Sequence, residues 1–310
     1  MKVIDLHEDL AFTSQTTDVR EDSKQSSIKA LADLGDATVF SVLFPHVGTW
    51  NERSDMLSKK YGSKQPSTAP LFHIMMEQIK LYHYFERANL GTIVRSAPDL
   101  DKGGLKFLIA LEGLDALTDP YDVYMLKELG MRSMGLCWNY DNKFAASCMS
   151  RKDYGLTGSG EDAIKICNEN GIVVDGAHAS KNSIIQAAEV SSKPILVSHT
   201  NAKGVHDHAR NLDDETIEAV VKKNGTIGVT AIRATLSDDP SIEDMVKHVN
   251  YIGDTFGWQY VSLGTDFLGI PDTPKDFENL SKLNNLAEKL GEHAEDVFWK
   301  NAYRVLKANL

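Results

Sequence analysis

The feature that most constrains this chain is a set of eight short, almost continuously apolar runs spread along its length. They are Lys2–His7, Ala37–Phe44, Lys106–Gly113, Met131–Trp138, Gly171–His178, Pro194–Thr200, Gly225–Ile232 and Tyr260–Asp266. A strand with one wet face alternates apolar and polar residues, whereas runs apolar at nearly every position are covered on both faces, as in a parallel sheet. The segments between them carry helix signals. Ser241–Gly257 spaces Ile242, Met245, Val246, Val249, Ile252 and Phe256 along one face behind a Ser241/Asp244 capping box. Residues 213–223 turn Ile217, Val220 and Val221 inward before Gly225. Strands alternating with helices over 310 residues predict a (β/α)8 TIM-type barrel in a single domain, 1–310. A doubly wound open sheet is the alternative, because a strand count does not prove closure. The longest interval, 45–105, predicts an insertion: a polar loop with Pro66 and Pro70 over one mouth of the barrel, then an amphipathic segment Leu71–Leu90.

Lys and Arg number 33 against 44 Asp and Glu, a net charge of −11. That field repels phosphate backbones and anionic headgroups, so no nucleic-acid or membrane partner is expected. No stretch approaches the roughly 18 apolar residues of a membrane span. Three cysteines, Cys137, Cys148 and Cys167, cannot form a complete disulfide set. Charges at Lys2, Asp5, Glu8 and Asp9 interrupt any signal-type apolar segment. Both observations predict a cytoplasmic protein.

Active sites of such barrels lie at the carboxyl ends of the strands. The first run ends in His7 with Asp9 two residues on, the third in Glu112, the fifth in His178, the sixth in His199 and the eighth in Asp266. Three of the ten histidines thus meet three carboxylates at one mouth. Singly, each has a plain structural explanation: a surface pair beside a turn for His7 and Asp9, a salt-bridged glutamate, a hydrogen-bonded core histidine. Together they match the nitrogen and oxygen ligand set of zinc and point to a two-metal site. One arrangement sets His7 and Asp9 on one ion, His178 and His199 on the other, and Glu112 between them, with room for a shared hydroxide and Asp266 left as acid/base group. The other histidines read as structural. His248 is expected opposite the apolar stripe of its helix, His206 and His208 in a solvated loop, and His46 is unassigned.

With these positions in hand, the sequence resembles the membrane dipeptidase (renal dipeptidase) family of zinc metallopeptidases. The likeness runs through IDLHEDL, ALEG, YGLTGSGEDAIKICNENGIVVDGAHAS, PILVSHTNAKGV, ARNLDDETIEAVVKKNGTIGV and LGTDFLGI in order. It implies metal ligands at His7, Asp9, Glu112, His178 and His199, two zinc ions, a proton-handling Asp266, and Arg210 as the holder of a substrate carboxylate. For Arg210 the alternative is a salt bridge to Asp213 or Asp214. The family also implies a barrel, hydrolysis of dipeptides, often with a D-residue second, and frequent homodimerisation. One departure bears on substrate scope. Where animal members carry a histidine that contacts the reacting carbonyl, this chain reads Leu136-Cys137-Trp138-Asn139, so either Asn139 donates the hydrogen bond or the zinc ions alone stabilise the oxyanion. The tyrosine after the seventh run is likewise replaced by Ile232 and Arg233, the latter a second anion contact or a solvated charge. Two other readings stay open: hydrolysis of an N-acyl amino acid or cyclic amide, and a catalytically silent metal-binding barrel.

Overall fold

The computed structural model describes residues 1–21, 24–46 and 69–310. Its strands are β1 (Lys2–Glu8), β2 (Asp36–Leu43), β3 (Thr92–Ile93), β4 (Gly104–Leu111), β5 (Met131–Gly135), β6 (Val173–Asp175), β7 (Leu196–Thr200), β8 (Thr226–Val229) and β9 (Val261–Leu263). All pairings between them are parallel, and β2 pairs with β4 along its whole length, from Asp36 opposite Gly104 to Leu43 opposite Leu111. With β1 bonded to both β2 and β9, the ring of eight closes. The fold is therefore a TIM-type barrel and the open sheet is excluded. The two-residue β3 is extra. It lies beside the start of β4, below the point at which β5 joins, and is too short to leave a sequence signal.

Ile4, Leu6, Phe40, Leu108, Ala110, Val173 and Leu196 fill the lower barrel interior, and Ala302, Val305 and Leu306 of the last helix, Asn301–Asn309, pack against them. Asn309 of that helix bonds Pro194 and Lys193 just ahead of β7, so the amino-terminal mouth is plugged. A larger apolar layer lies between the strands and the outer helices. Only the carboxyl-end mouth remains for chemistry.

Two register slips aim the side chains there. Ile4 and Leu6 face inward, so strict alternation would send His7 out. Pairing with β2 shifts between Asp5 and Glu8, three residues of β1 facing two of β2. The extra residue reverses the alternation. In β7, Leu196 faces inward, and the register with β8 shifts between Val197 and Thr200, which brings His199 to the interior in the same way.

The helix signals hold. Asp213 caps Asp214–Lys222 by accepting from the Thr216 amide at 3.0 Å, and Ser241 with Asp244 forms the capping box of Ile242–Phe256. Ile217 and Val220 are buried while Val221 is half-buried. The segment expected over Leu71–Leu90 is the helix Ala69–Arg87; most of the loop expected before it, residues 47–68, lies outside the described residues. His248 departs from expectation: it is fully buried, because the 201–212 loop folds over its helix face. Its Nδ1 accepts from the Ala202 amide at 3.1 Å and its Nε2 donates to the Leu236 carbonyl at 3.1 Å.

Candidate metal centre

The six residues singled out at the strand ends converge. The carboxylate of Glu112 has Oε1 at 2.9 Å from His178 Nε2, 3.5 Å from His199 Nε2 and 3.7 Å from His7 Nε2. His7 Nε2 lies 3.5 Å from both Asp9 Oδ2 and Asp266 Oδ1. Two groups have ligand atoms within 4.8 Å of one another: His7, Glu112 and His199, and His7, Asp9 and Asp266. Glu112 stands between the three histidines. Asp266, expected apart from the ligands, is within the same cluster as Asp9.

The donor set fits a cation. His7 Nε2 is buried and has no hydrogen-bond partner. His178 Nδ1 donates to Asn139 Oδ1 at 2.7 Å, which leaves the Nε2 lone pair facing Glu112 and, at 2.8 Å, His199 Nε2. Ring nitrogens and carboxylate oxygens so crowded repel one another unless something positive lies among them. Burial, then the charge of Arg210, hold His178 well below the ordinary imidazole range; burial, then His7 and Arg210, do so for His199. Both rings are therefore held neutral, the form that leaves a nitrogen lone pair for a ligand. Burial pushes the Glu112 carboxyl well above the usual carboxylate range and lifts Asp266 to about 7. His7 moves the other way: burial opposes its charge, but Glu112, Asp9 and Asp266 outweigh that and raise it to about 10. A bound cation would reverse the balances at Glu112, Asp266 and His7 by taking over the role of the proton, and would hold His178 and His199 neutral all the more firmly.

Two buried aspartates hold the strand ends in place. Asp5 Oδ1 accepts from the amides of His7 and Thr265, at 3.1 and 2.9 Å, so it ties the slipped end of β1 to the residue before Asp266. Asp175 Oδ1 accepts from the amides of Ala177 and Ser198, at 2.8 and 2.9 Å, each the residue before a site histidine. Ser198 Oγ bonds His199 Nδ1 at 2.8 Å. Sequence reasoning missed these aspartates because each sits inside an apolar run rather than at its end. It missed Gly269 too: a Cβ there would overlap Asp9 Oδ2 and stand 2.8 Å from Asp266 Oδ1. His178 and Asp266 adopt left-handed backbone, φ 63° and 61°, which non-glycine residues reach at some cost.

A cavity of about 230 Å³ opens above the cluster, lined by Asp9, Glu112, His178, Asp266, Arg210 and Asn139, with Phe12, Phe44, Trp138, His208, Ile232, Thr235 and Gly269 completing it. Arg210 is buried and Nη2 donates to the His199 carbonyl at 3.2 Å. It forms no ion pair among the described residues. Asp213 is taken by Lys181 and Asp214 by Tyr251, so the salt-bridge alternative for Arg210 falls away. Asn139 reaches the site, but its Oδ1 supports His178. Arg233 turns from the cavity to the Thr273 carbonyl and Asp239, so it is neither a second anion contact nor merely solvated. His208 lines the cavity and accepts the Arg210 amide, although its loop position gave no such signal. His46 bonds the Glu112 carbonyl at 2.8 Å and packs on Phe44 and Trp138. The three cysteines are free.

A closed parallel barrel whose carboxyl mouth gathers histidines and carboxylates defines a class, the metal-site (β/α)8 barrels. Within it, the chain belongs to the membrane dipeptidase family, peptidase family M19, whose profile matches residues 1–309. An uncharacterized dipeptidase of Schizosaccharomyces pombe is 32% identical over 222 residues, 67% of this chain and 54% of that protein. The dipeptidase verJ of Clonostachys rogersoniana is 29% identical over 237 residues, 73% of this chain and 61% of that one. The chain spans about half the length of the curated relatives it matches, from 50% to 61%. Among solved structures, a metallopeptidase of Rhodobacter sphaeroides bound to a phosphinate mimic of the dipeptide L-Ala-D-Ala superposes with a TM-score of 0.86 over 100% of this chain and 99% of that one, at 19% identity. A dipeptidase described as belonging to family M19 gives 0.85 at 18% identity, with the same coverage. Both likenesses speak for the fold. No helix among the described residues is long and apolar enough to cross a membrane.

Proposed function

We propose that this protein is a dipeptidase that holds two zinc ions in the cluster of His7, Asp9, Glu112, His178 and His199, and that it accepts L-Xaa-D-Xaa as well as L,L substrates. The observation that carries the reading is the pairing of that cluster with a buried guanidinium that makes no ion pair among the described residues, in one small cavity. When bound, the metal would acidify a water and polarise the scissile carbonyl.

The chain's own residues do the rest. Arg210 offers its fork to the free carboxylate at the substrate's C-terminus, and because it is buried and fixed, a bidentate contact loses little side-chain freedom. That anchor ties recognition to a chain end and restricts substrates to short ones. A cavity of about 230 Å³ lies at the small end for ligand sites and agrees with that restriction. Asp266 faces the cavity, 3.5 Å from His7 Nε2. It orients the attacking water, accepts its proton and returns it to the leaving amine. Asn139 fixes the His178 ring through Nδ1, which keeps Nε2 available as a ligand.

The test is hydrolysis of L,L and L,D dipeptides by zinc-loaded protein beside chelator-treated protein. Turnover that disappears on chelation and returns with zinc is expected. Folded, zinc-loaded protein that cleaves neither series would refute the reading.

A further inference from the structure

Part of the cavity lining is aromatic. Phe12, in the short helix after β1, meets Phe44 edge-on with ring centres 5.3 Å apart, and Phe44 meets Trp138 edge-on at 5.1 Å. Trp138 continues toward the metal cluster, with its ring centre 6.1 Å from that of His178. Edge-to-face contacts of this kind make a firm wall and not a loose collection of side chains. The wall is also partly uncovered: Phe12 is 40% exposed, and Phe44 and Trp138 are half-buried. All three line the same cavity as Arg210. Large apolar rings left open around one small cavity are a place for an apolar group of a ligand.

Strand order around the barrel bears on which group that is. Phe44 follows β2, directly opposite the β7 end that precedes Arg210, Phe12 follows the neighbouring β1, and Trp138 follows β5, between the two sides. Glu112, His178 and Asp266 line the cavity with these rings and Arg210. A dipeptide whose carboxylate is held at Arg210, and whose scissile bond sits over the cluster, directs its first residue to the aromatic side. We infer that Phe12, Phe44 and Trp138 form the pocket for the side chain of the substrate's N-terminal residue, and that the preferred substrates are dipeptides beginning with a bulky apolar or aromatic residue. This rests on the dipeptidase reading above. It gives Trp138 a role at the position where animal family members have a histidine: it exchanges a polar contact for an apolar surface.

The experiment compares kcat/KM for Phe-Ala, Leu-Ala, Ala-Ala and Asp-Ala with zinc-loaded wild-type protein and the Phe12→Ala, Trp138→Ala and Phe12→Leu variants. Phe-Ala and Leu-Ala are expected to exceed Ala-Ala by about tenfold or more, the scale of discrimination an apolar pocket provides, and Asp-Ala to be poorest. In Phe12→Ala and Trp138→Ala the Phe-Ala to Ala-Ala ratio should collapse toward one, and Phe12→Leu should restore part of it. A shift in that ratio is something a merely structural defect, which lowers all substrates together, does not produce. Dipeptides cleaved without bias toward an apolar first residue, or a bias that survives in both alanine variants, would overturn the wall while leaving the dipeptidase reading intact. No cleavage of any dipeptide by folded, loaded protein would overturn both.

Discussion

The change Gly269→Ala tests whether the two carboxylates of the site need their observed positions. Gly269 lies in the turn after β9, and its φ is outside the left-handed region, so an alanine meets no backbone strain. The whole effect is steric. The new methyl would overlap Asp9 Oδ2 and approach Asp266 Oδ1 to 2.8 Å, and the carboxylates are the nearest atoms it meets. Moving them by about 1 Å, at groups proposed to bind metal and handle the proton, is expected to reduce kcat/KM on the order of 10²-fold. That corresponds to about 2.7 kcal/mol of lost transition-state stabilisation. The assay is steady-state hydrolysis of a cleaved dipeptide, with metal content after dialysis against a weak chelator and the thermal midpoint measured alongside. Lower metal retention with a midpoint within a few degrees of wild type is expected. Activity within about threefold of wild type, with full metal content, would refute the argument that Gly269 holds space for Asp9 and Asp266.

Asp266→Asn keeps the shape and removes the proposed proton acceptor; turnover should fall by roughly 10² to 10⁴ while metal content stays near that of wild type, and normal turnover would reassign the proton transfer. Asp175→Ala strips the acceptor from the Ala177 and Ser198 amides, leaving two buried donors at about 1–3 kcal/mol each. Chelator competition should show weakened metal binding, which Asp175→Asn, still an acceptor, largely restores. His248 gives a pH prediction away from the metal centre. Burial depresses its imidazole to about 4, below the ordinary unfolded value of about 6.5, so the unfolded chain binds the proton more readily. Stability from this group is present above about 6.5 and lost as pH falls toward 4, about 2 kcal/mol between pH 7 and 5. Urea unfolding at the two values should show a smaller loss in His248→Gln, and an unchanged loss would exclude His248 as the source.

Local pattern was enough for much of this protein. Both-face burial wrote eight strands into the chain as nearly continuous apolar runs, and the reach of those runs placed His7, Glu112, His178, His199 and Asp266 at their ends. Caps such as Asp213 and the Ser241/Asp244 box were equally plain, because a cap is satisfied within a few residues of itself.

Features that depend on a distant partner were settled only by the tertiary structure. Closure required β2 to bond β4 across the longest interval in the chain. The inward turn of His7 and His199 comes from slips in register, and register is a relation between two strands that neither encodes alone. Asp5 and Asp175 gained their roles when neighbouring strand ends presented amides to them, and Arg210 makes no ion pair among the described residues, while its candidate partners Asp213 and Asp214 bond Lys181 and Tyr251. His248 became a core group when a remote loop covered it. Periodicity reports which face of an element is dry; what touches that face, and in which register, is decided by packing among elements far apart in the chain.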